Sequence, residues 1–95
     1  MPAAVPEPTR QFVASLERAM SERGLTVSEL ADRAELSRNH VNLILRGRRR
    51  VQLDTLVKLA GALEVPPERL LEGVEWVSDG HGGGEFRPRP PAPPG

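Results

Sequence analysis

"TVSELADRAELSRNHVNLILRG", residues 26–47, holds two short amphipathic segments joined by a tight turn. Thr26 and Glu29 have the spacing of a capping box, in which each side chain satisfies the other's backbone amide. They stand ahead of Leu30, Ala31 and Ala34. Ser37 is placed to cap a second segment only eleven residues later, so the first helix must be short. With Val41 taken as the inward direction and a step of roughly 100° per residue, Val41, Ile44 and Leu45 share one side. Asn39, Asn42, Leu43 and Arg46 point away from it. The outward face is therefore rich in amides and ends in arginine, and Gly47 closes the helix.

Just beyond that helix lies an unusual concentration of charge. Arg46, Arg48, Arg49 and Arg50 place four of the thirteen basic side chains in five consecutive positions, in a chain whose formal net charge is zero. Residues 37–58 carry six basic groups and one acidic group, a net +5, and the rest carries seven and twelve, a net −5. A partner meets this local field, not the total. A merely solvated face is the alternative for such a cluster taken alone.

The flanking segments continue the helical pattern. Phe12, Leu16 and Met20, with Val13 and Ala19 beside them, recur at helical spacing after Thr9, a suitable N-cap. Gly24 supplies a left-handed stop on which Leu25 folds back. Downstream, Leu53, Leu56, Leu59, Ala60 and Leu63 define a fourth helix, and "PPERLLEG" a fifth with Pro67 in its first turn. With no period-2 alternation and few aromatic residues, the expectation is an all-α domain of five short helices over residues 9–77.

Both ends read as tails. Residues 1–8 contain three prolines, and residues 78–95, "SDGHGGGEFRPRPPAPPG", contain five glycines and five prolines. Such composition buries too little apolar surface to offset its ordering entropy, so a disordered N-terminal arm and a disordered Gly/Pro-rich tail are expected. "RPRPPAP" has the general form of a polyproline ligand. Val74, Trp76 and Val77 form a small apolar group after Gly73, suited either to a dimer contact or to covering the domain's own core.

With 95 residues, one small domain is the limit. The absence of cysteine removes disulfides and thiolate metal sites. No run of about 18 apolar residues suggests a membrane span, and the N-terminus lacks the basic-then-apolar pattern of a secretory signal. A soluble, cytoplasmic protein with no cofactor is the expectation. Catalysis is not expected either. His40 and His81 lie far apart with no acidic or thiol partner set, and "GHGGG" at 80–84 is neither preceded by a strand nor followed by a helix.

The order of these features has a family counterpart. "GLTVSELADRAELSRNHVNLILRGRRRVQLDTLVKLAGALEVPPERLL", residues 24–71, resembles the helix-turn-helix domain of the lambda-repressor and Cro-like (XRE) regulators. Many features fall in register: "GLT" and "ELA" on the first motif helix, "LS" before the second, "RG" after it, then "LDTLVKLAGALEV" and a final "LL". The resemblance implies a lambda repressor-like fold in which residues 37–46 form a recognition helix lying in the DNA major groove. It implies base reading by Arg38, Asn39, Asn42 and Leu43. Asparagine bonds adenine N6 and N7, arginine bonds guanine O6 and N7, and leucine packs on a thymine methyl. Ser37, Arg46, Arg48, Arg49 and Arg50 would hold the sugar-phosphate backbone, which raises affinity without reading sequence. For Arg38, Asn39 and Asn42 the alternative is ordinary solvated surface. For Leu43 it is an exposed apolar residue or a protein contact, and His40 is expected at the surface.

The sequence departs from the family pattern at several points. Val27 stands where a phosphate-contacting glutamine is common. Glu35 stands where glycine is common in the turn, so either it adopts an unusual backbone angle or the turn differs locally. Gln52 replaces a common serine cap. The function implied is sequence-specific regulation of transcription on double-stranded DNA, by a homodimer on an inverted repeat. The alternative is an antitoxin-like module that also captures a protein partner such as a toxin.

Overall fold

The computed structural model describes residues 8–88. Its elements are α1 (Pro8–Arg23), α2 (Val27–Ala34), α3 (Arg38–Leu45), α4 (Leu53–Leu63), a 3₁₀ turn (Pro67–Leu71), and strands β1 (Val74–Ser78) and β2 (Gly84–Pro88). The N-terminal arm apart from Pro8, and the proline-rich motif beyond Pro88, lie outside the described residues. Among the described residues, no helix is long and apolar enough to cross a membrane.

Each helix end has a local cause. Pro8 opens α1, a position that suits a residue with a fixed φ and no amide to donate. Thr9 therefore sits inside the helix and is not its cap. Gly24, at φ +64°, ends α1, and the Leu25 amide reaches back to the Met20 carbonyl at 3.0 Å. The Thr26–Glu29 capping box is present in both directions, at 3.1 and 3.2 Å. Gln52 makes no side-chain cap for α4. At the far end of that helix Glu64 takes φ +58°, and Arg23 donates to its carboxylate at 3.1 Å and to its carbonyl at 3.2 Å.

The core is a single cluster to which every helix contributes. Phe12, Leu16, Ala19 and Met20 from α1 meet Leu30, Ala31 and Ala34, Val41 and Ile44, and Leu56, Leu59, Ala60 and Leu63, with Leu70 closing one side. Leu53 belongs elsewhere: it is 77% exposed, and Thr55 is the buried residue of that turn. As the first residue of α4, Leu53 has no turn before it to pack under.

Two expectations need correction. The architecture is not all-α, and it has four α-helices where five are expected. "PERLL" forms a five-residue 3₁₀ turn because Gly73 turns the chain away at φ +99° soon after Pro67 opens it, leaving too little length to nucleate an α-helix. The Gln11 side chain of α1 donates to the Glu72 carbonyl at 3.3 Å. A β-carbon on Gly73 would fall 2.5 Å from the Gln11 amide nitrogen.

The second correction concerns the tail, expected to be disordered from residue 78. Residues 74–78 and 84–88 pair as an antiparallel hairpin, in register Val74↔Pro88 to Ser78↔Gly84. Its loop is built locally. The Asp79 carboxylate accepts from the amides of His81 and Gly83, the Ser78 hydroxyl accepts from the Gly80 amide, and Gly80 and Gly82 take positive φ. Trp76 and Phe86 face each other edge-on with ring centroids 4.9 Å apart, and the indole lies over Gly84, where a β-carbon would meet it at 2.6 Å. Trp76 thus covers its own hairpin and not the helical core. The boundary expected at residues 77/78 runs through this hairpin.

Candidate nucleic-acid interface

The turn between α2 and α3 is closed by backbone bonds that require a left-handed residue. Glu35 takes that conformation, at φ +56°, which settles the alternative left open by the sequence. Its amide donates to the Asp32 carbonyl at 3.3 Å, and the Leu36 amide to the Ala31 carbonyl at 2.9 Å. Leu36 is then carried onto the core, and Ser37 arrives in extended backbone as the N-cap of α3. Its Oγ accepts from the His40 amide at 3.0 Å.

α3 is fixed from below by Val41 and Ile44, both fully buried. Ser37, Arg38 and Asn39 consequently stand at the open first turn, with Arg38 and Asn39 exposed. Asn42 and Leu43 are partly buried, so less of each is open to a partner. With about 1.5 Å of rise per residue, the eight residues of α3 span roughly 12 Å, a length compatible with a major groove. The serine oxygen is occupied as an acceptor, but its hydroxyl proton remains able to donate.

At the other end, Arg46 caps α3 and Gly47, at φ +69°, reverses the chain, with the Arg48 amide bonded to the Leu43 carbonyl at 3.0 Å. Arg46, Arg48, Arg49 and Arg50 are all exposed. Among the described residues, the ion pairs are Arg23–Glu64 and Arg87–Glu85, so none of these arginines is neutralised by a neighbour. The arrangement is an exposed, hydrogen-bonding helix face bounded at its far end by unpaired positive charge.

His40 reports on this field. Its pKa lies below the usual histidine value, first because it is partly desolvated and then because Arg49 and Lys58 repel the imidazolium. The loop arginine and the lysine of α4 therefore act on the same flank of α3. The sequence pattern alone does not single out Lys58; its membership in the +5 segment is the available signal. Val27, where a glutamine is common, packs against the core and supplies no polar group.

These features have counterparts among known proteins. The HTH_3 helix-turn-helix model matches residues 13–70. The HTH-type transcriptional regulator DdrOP3 of Deinococcus deserti is 36% identical over 64 residues, 67% of this chain and 50% of that protein. The chain thus spans about half the length of the curated relative it matches. The restriction-modification controller protein C.AhdI of Aeromonas hydrophila superposes with a TM-score of 0.63 at 34% identity, over 65% of this chain and 94% of its own. The hypothetical transcription factor NHTF from Neisseria gives a TM-score of 0.67 at 27% identity, over 75% and 85%. With the capped turn, the buried underside of α3 and a family match over more than half its length, the chain belongs to the HTH_3 family of XRE-type, DNA-binding helix-turn-helix transcription regulators.

Proposed function

We propose that this protein is a sequence-specific regulator of transcription that places α3 in the major groove of double-stranded DNA. The observation that carries the reading is the juxtaposition of an exposed first helical turn, bearing Arg38 and Asn39, with four unpaired arginines just past the helix's other end. Arg38 and Asn39 supply forked donors and acceptors for base edges, with Asn42 and Leu43 next along the groove. Ser37, Arg46, Arg48, Arg49 and Arg50 hold phosphates on either side. Lys58 extends the phosphate-facing flank.

One α3 reads only a few base pairs, so useful specificity calls for two copies on an inverted repeat with half-sites roughly 34 Å apart. As a regulator of this kind the protein acts in the cytoplasm. The test is selection of bound duplexes from a random DNA pool at near-physiological salt. Enrichment of one inverted repeat is the expected outcome, and a pool that stays random overturns the reading.

A further inference from the structure

The hairpin is the feature that the DNA-binding reading leaves unused. Its two strands contribute nothing to the buried core, which ends at Leu70, and an isolated two-stranded hairpin is marginal in water without a further strand or a packing partner. Trp76 and Phe86 nevertheless remain 55% and 41% exposed. Both sheet edges are free among the described residues, an arrangement that invites strand addition.

The phase of the ladder decides which groups those edges present. The Asp79 amide donates to the Gly83 carbonyl at 3.0 Å, in register with the strand pairs. Alternation along an antiparallel ladder then turns the backbone groups of Glu75, Val77, Glu85 and Arg87 inward, and those of Trp76, Gly84, Phe86 and Pro88 outward. Pro88, which has no amide, thereby sits where its ring costs the hairpin no bond. The close Trp76–Phe86 ring pair fits a non-hydrogen-bonded position, where side chains approach most closely.

We propose that the free edge of β2 pairs with β2 of a second copy of this chain, antiparallel about a two-fold axis at Phe86, making a four-stranded sheet. Glu85 and Arg87 pair with each other within one strand, both still more than half exposed, and the charge pattern they make, extended across the two-fold axis, selects both the edge and the register. Centred on Phe86, Glu85 lies opposite the partner's Arg87 and Arg87 opposite the partner's Glu85. A shift of the centre by one residue sets Glu85 against the partner's Glu85, or Arg87 against the partner's Arg87, and like charges directly opposite are destabilising. The β1 edge offers no such match, because centring on Trp76 sets Glu75 against the partner's Val77. In the favoured register the Phe86 amides and carbonyls exchange two bonds, and each Gly84 amide reaches the partner's Pro88 carbonyl. Trp76 and Phe86 of both copies then form one aromatic row across the sheet. The proposal rests on the two-copy reading above and names the surface that joins the copies.

Sedimentation equilibrium of the full chain without DNA tests it. The wild type is expected to dimerise. Glu85→Lys and Arg87→Glu should each weaken self-association by at least about fourfold, with the helical circular dichroism unchanged. Mixed together, these two variants should form a heterodimer tighter than either homodimer, and the double swap in one chain should restore the wild-type constant. Glu17→Lys mixed with Arg18→Glu, which changes the same net charges on α1, should show no such gain. The proposal is overturned if the wild type stays monomeric up to about 1 mM, if the single variants associate as the wild type does, or if the α1 pair gains as much on mixing. A protein that selects a DNA site while its hairpin variants associate normally refutes this pairing alone. One that pairs through β2 but enriches no duplex refutes the DNA reading alone.

Discussion

The Ser37 hydroxyl holds the His40 amide at 3.0 Å, tying the first turn of α3 to the end of the helix-turn-helix turn. The same side chain faces outward where a DNA phosphate is expected, so its structural and binding roles are separable. Ser37→Ala should cost about 1 kcal/mol of stability through loss of the cap, read from the urea midpoint at unchanged slope. Ser37→Asp retains a good cap but adds negative charge. It should keep stability near wild type while weakening binding to every duplex, and equal binding by both proteins would remove Ser37 from the phosphate contacts.

Reading and holding make different demands on α3 and on the loop after it. Asn39→Ala should cost about 1–3 kcal/mol at the preferred site and relax discrimination at one base pair, with nonspecific binding nearly unchanged. Arg48, Arg49 and Arg50 changed together to Ala should weaken binding on all sequences alike. The slope of log K against log salt should fall by about 0.9 for each phosphate that is no longer neutralised. Titration of specific and scrambled duplexes over a salt series distinguishes the two patterns. Equal weakening by Asn39→Ala on both duplexes would contradict its role as a reader.

Glu35 occupies a left-handed conformation at φ +56°, which costs an L-residue of this type roughly 1–2 kcal/mol. Glycine relieves that strain but adds freedom to the unfolded chain. Glu35→Gly should therefore stabilise the domain by a net of about 0.5–1 kcal/mol, measured by denaturant unfolding. The paths of α2 and α3 should be preserved, so DNA affinity should hold or rise slightly.

His40 links stability to acidity with a definite sign. Because desolvation, Arg49 and Lys58 lower its pKa in the folded chain, the unfolded state binds a proton more readily. The stabilising contribution of neutral His40 is complete above the unfolded value near 6.5, and it is lost as pH falls from there through the folded value. Proton NMR of the imidazole should show a midpoint below 6.5. Bound DNA, by screening Arg49 and Lys58 with phosphate charge, should raise it. A downward shift on binding would place this flank away from the backbone.

The helical half of the molecule was legible in the sequence because its determinants are local. The Thr26–Glu29 box, the Ser37 cap, the Gly24 and Gly47 stops and the spacing of Val41 and Ile44 act within one or two turns. The exposed faces they imply follow from 3.6-residue geometry alone. The outward position of Asn39 was legible for the same reason, and so was the unpaired arginine loop, because acidic residues are scarce near it in the chain. The exposure of Arg38 was implied only by the family resemblance, since on the same wheel it falls toward the Val41 side.

What tertiary structure alone decided depends on partners distant in sequence or on competition between them. The Trp76–Phe86 pair spans a glycine loop whose composition signals disorder, and only the register set by Asp79 and Gly83 shows it to be a hairpin. The Gln11 side chain, 61 positions upstream of Glu72, donates to the carbonyl just before Gly73 turns the chain, a contact that no local pattern announces. Leu53 kept its place in the helical period yet stayed exposed, since periodicity specifies direction but not whether another element is there to receive a side chain. Lys58 joined the flank of α3 across the fold, where charge acts through space and not along the chain.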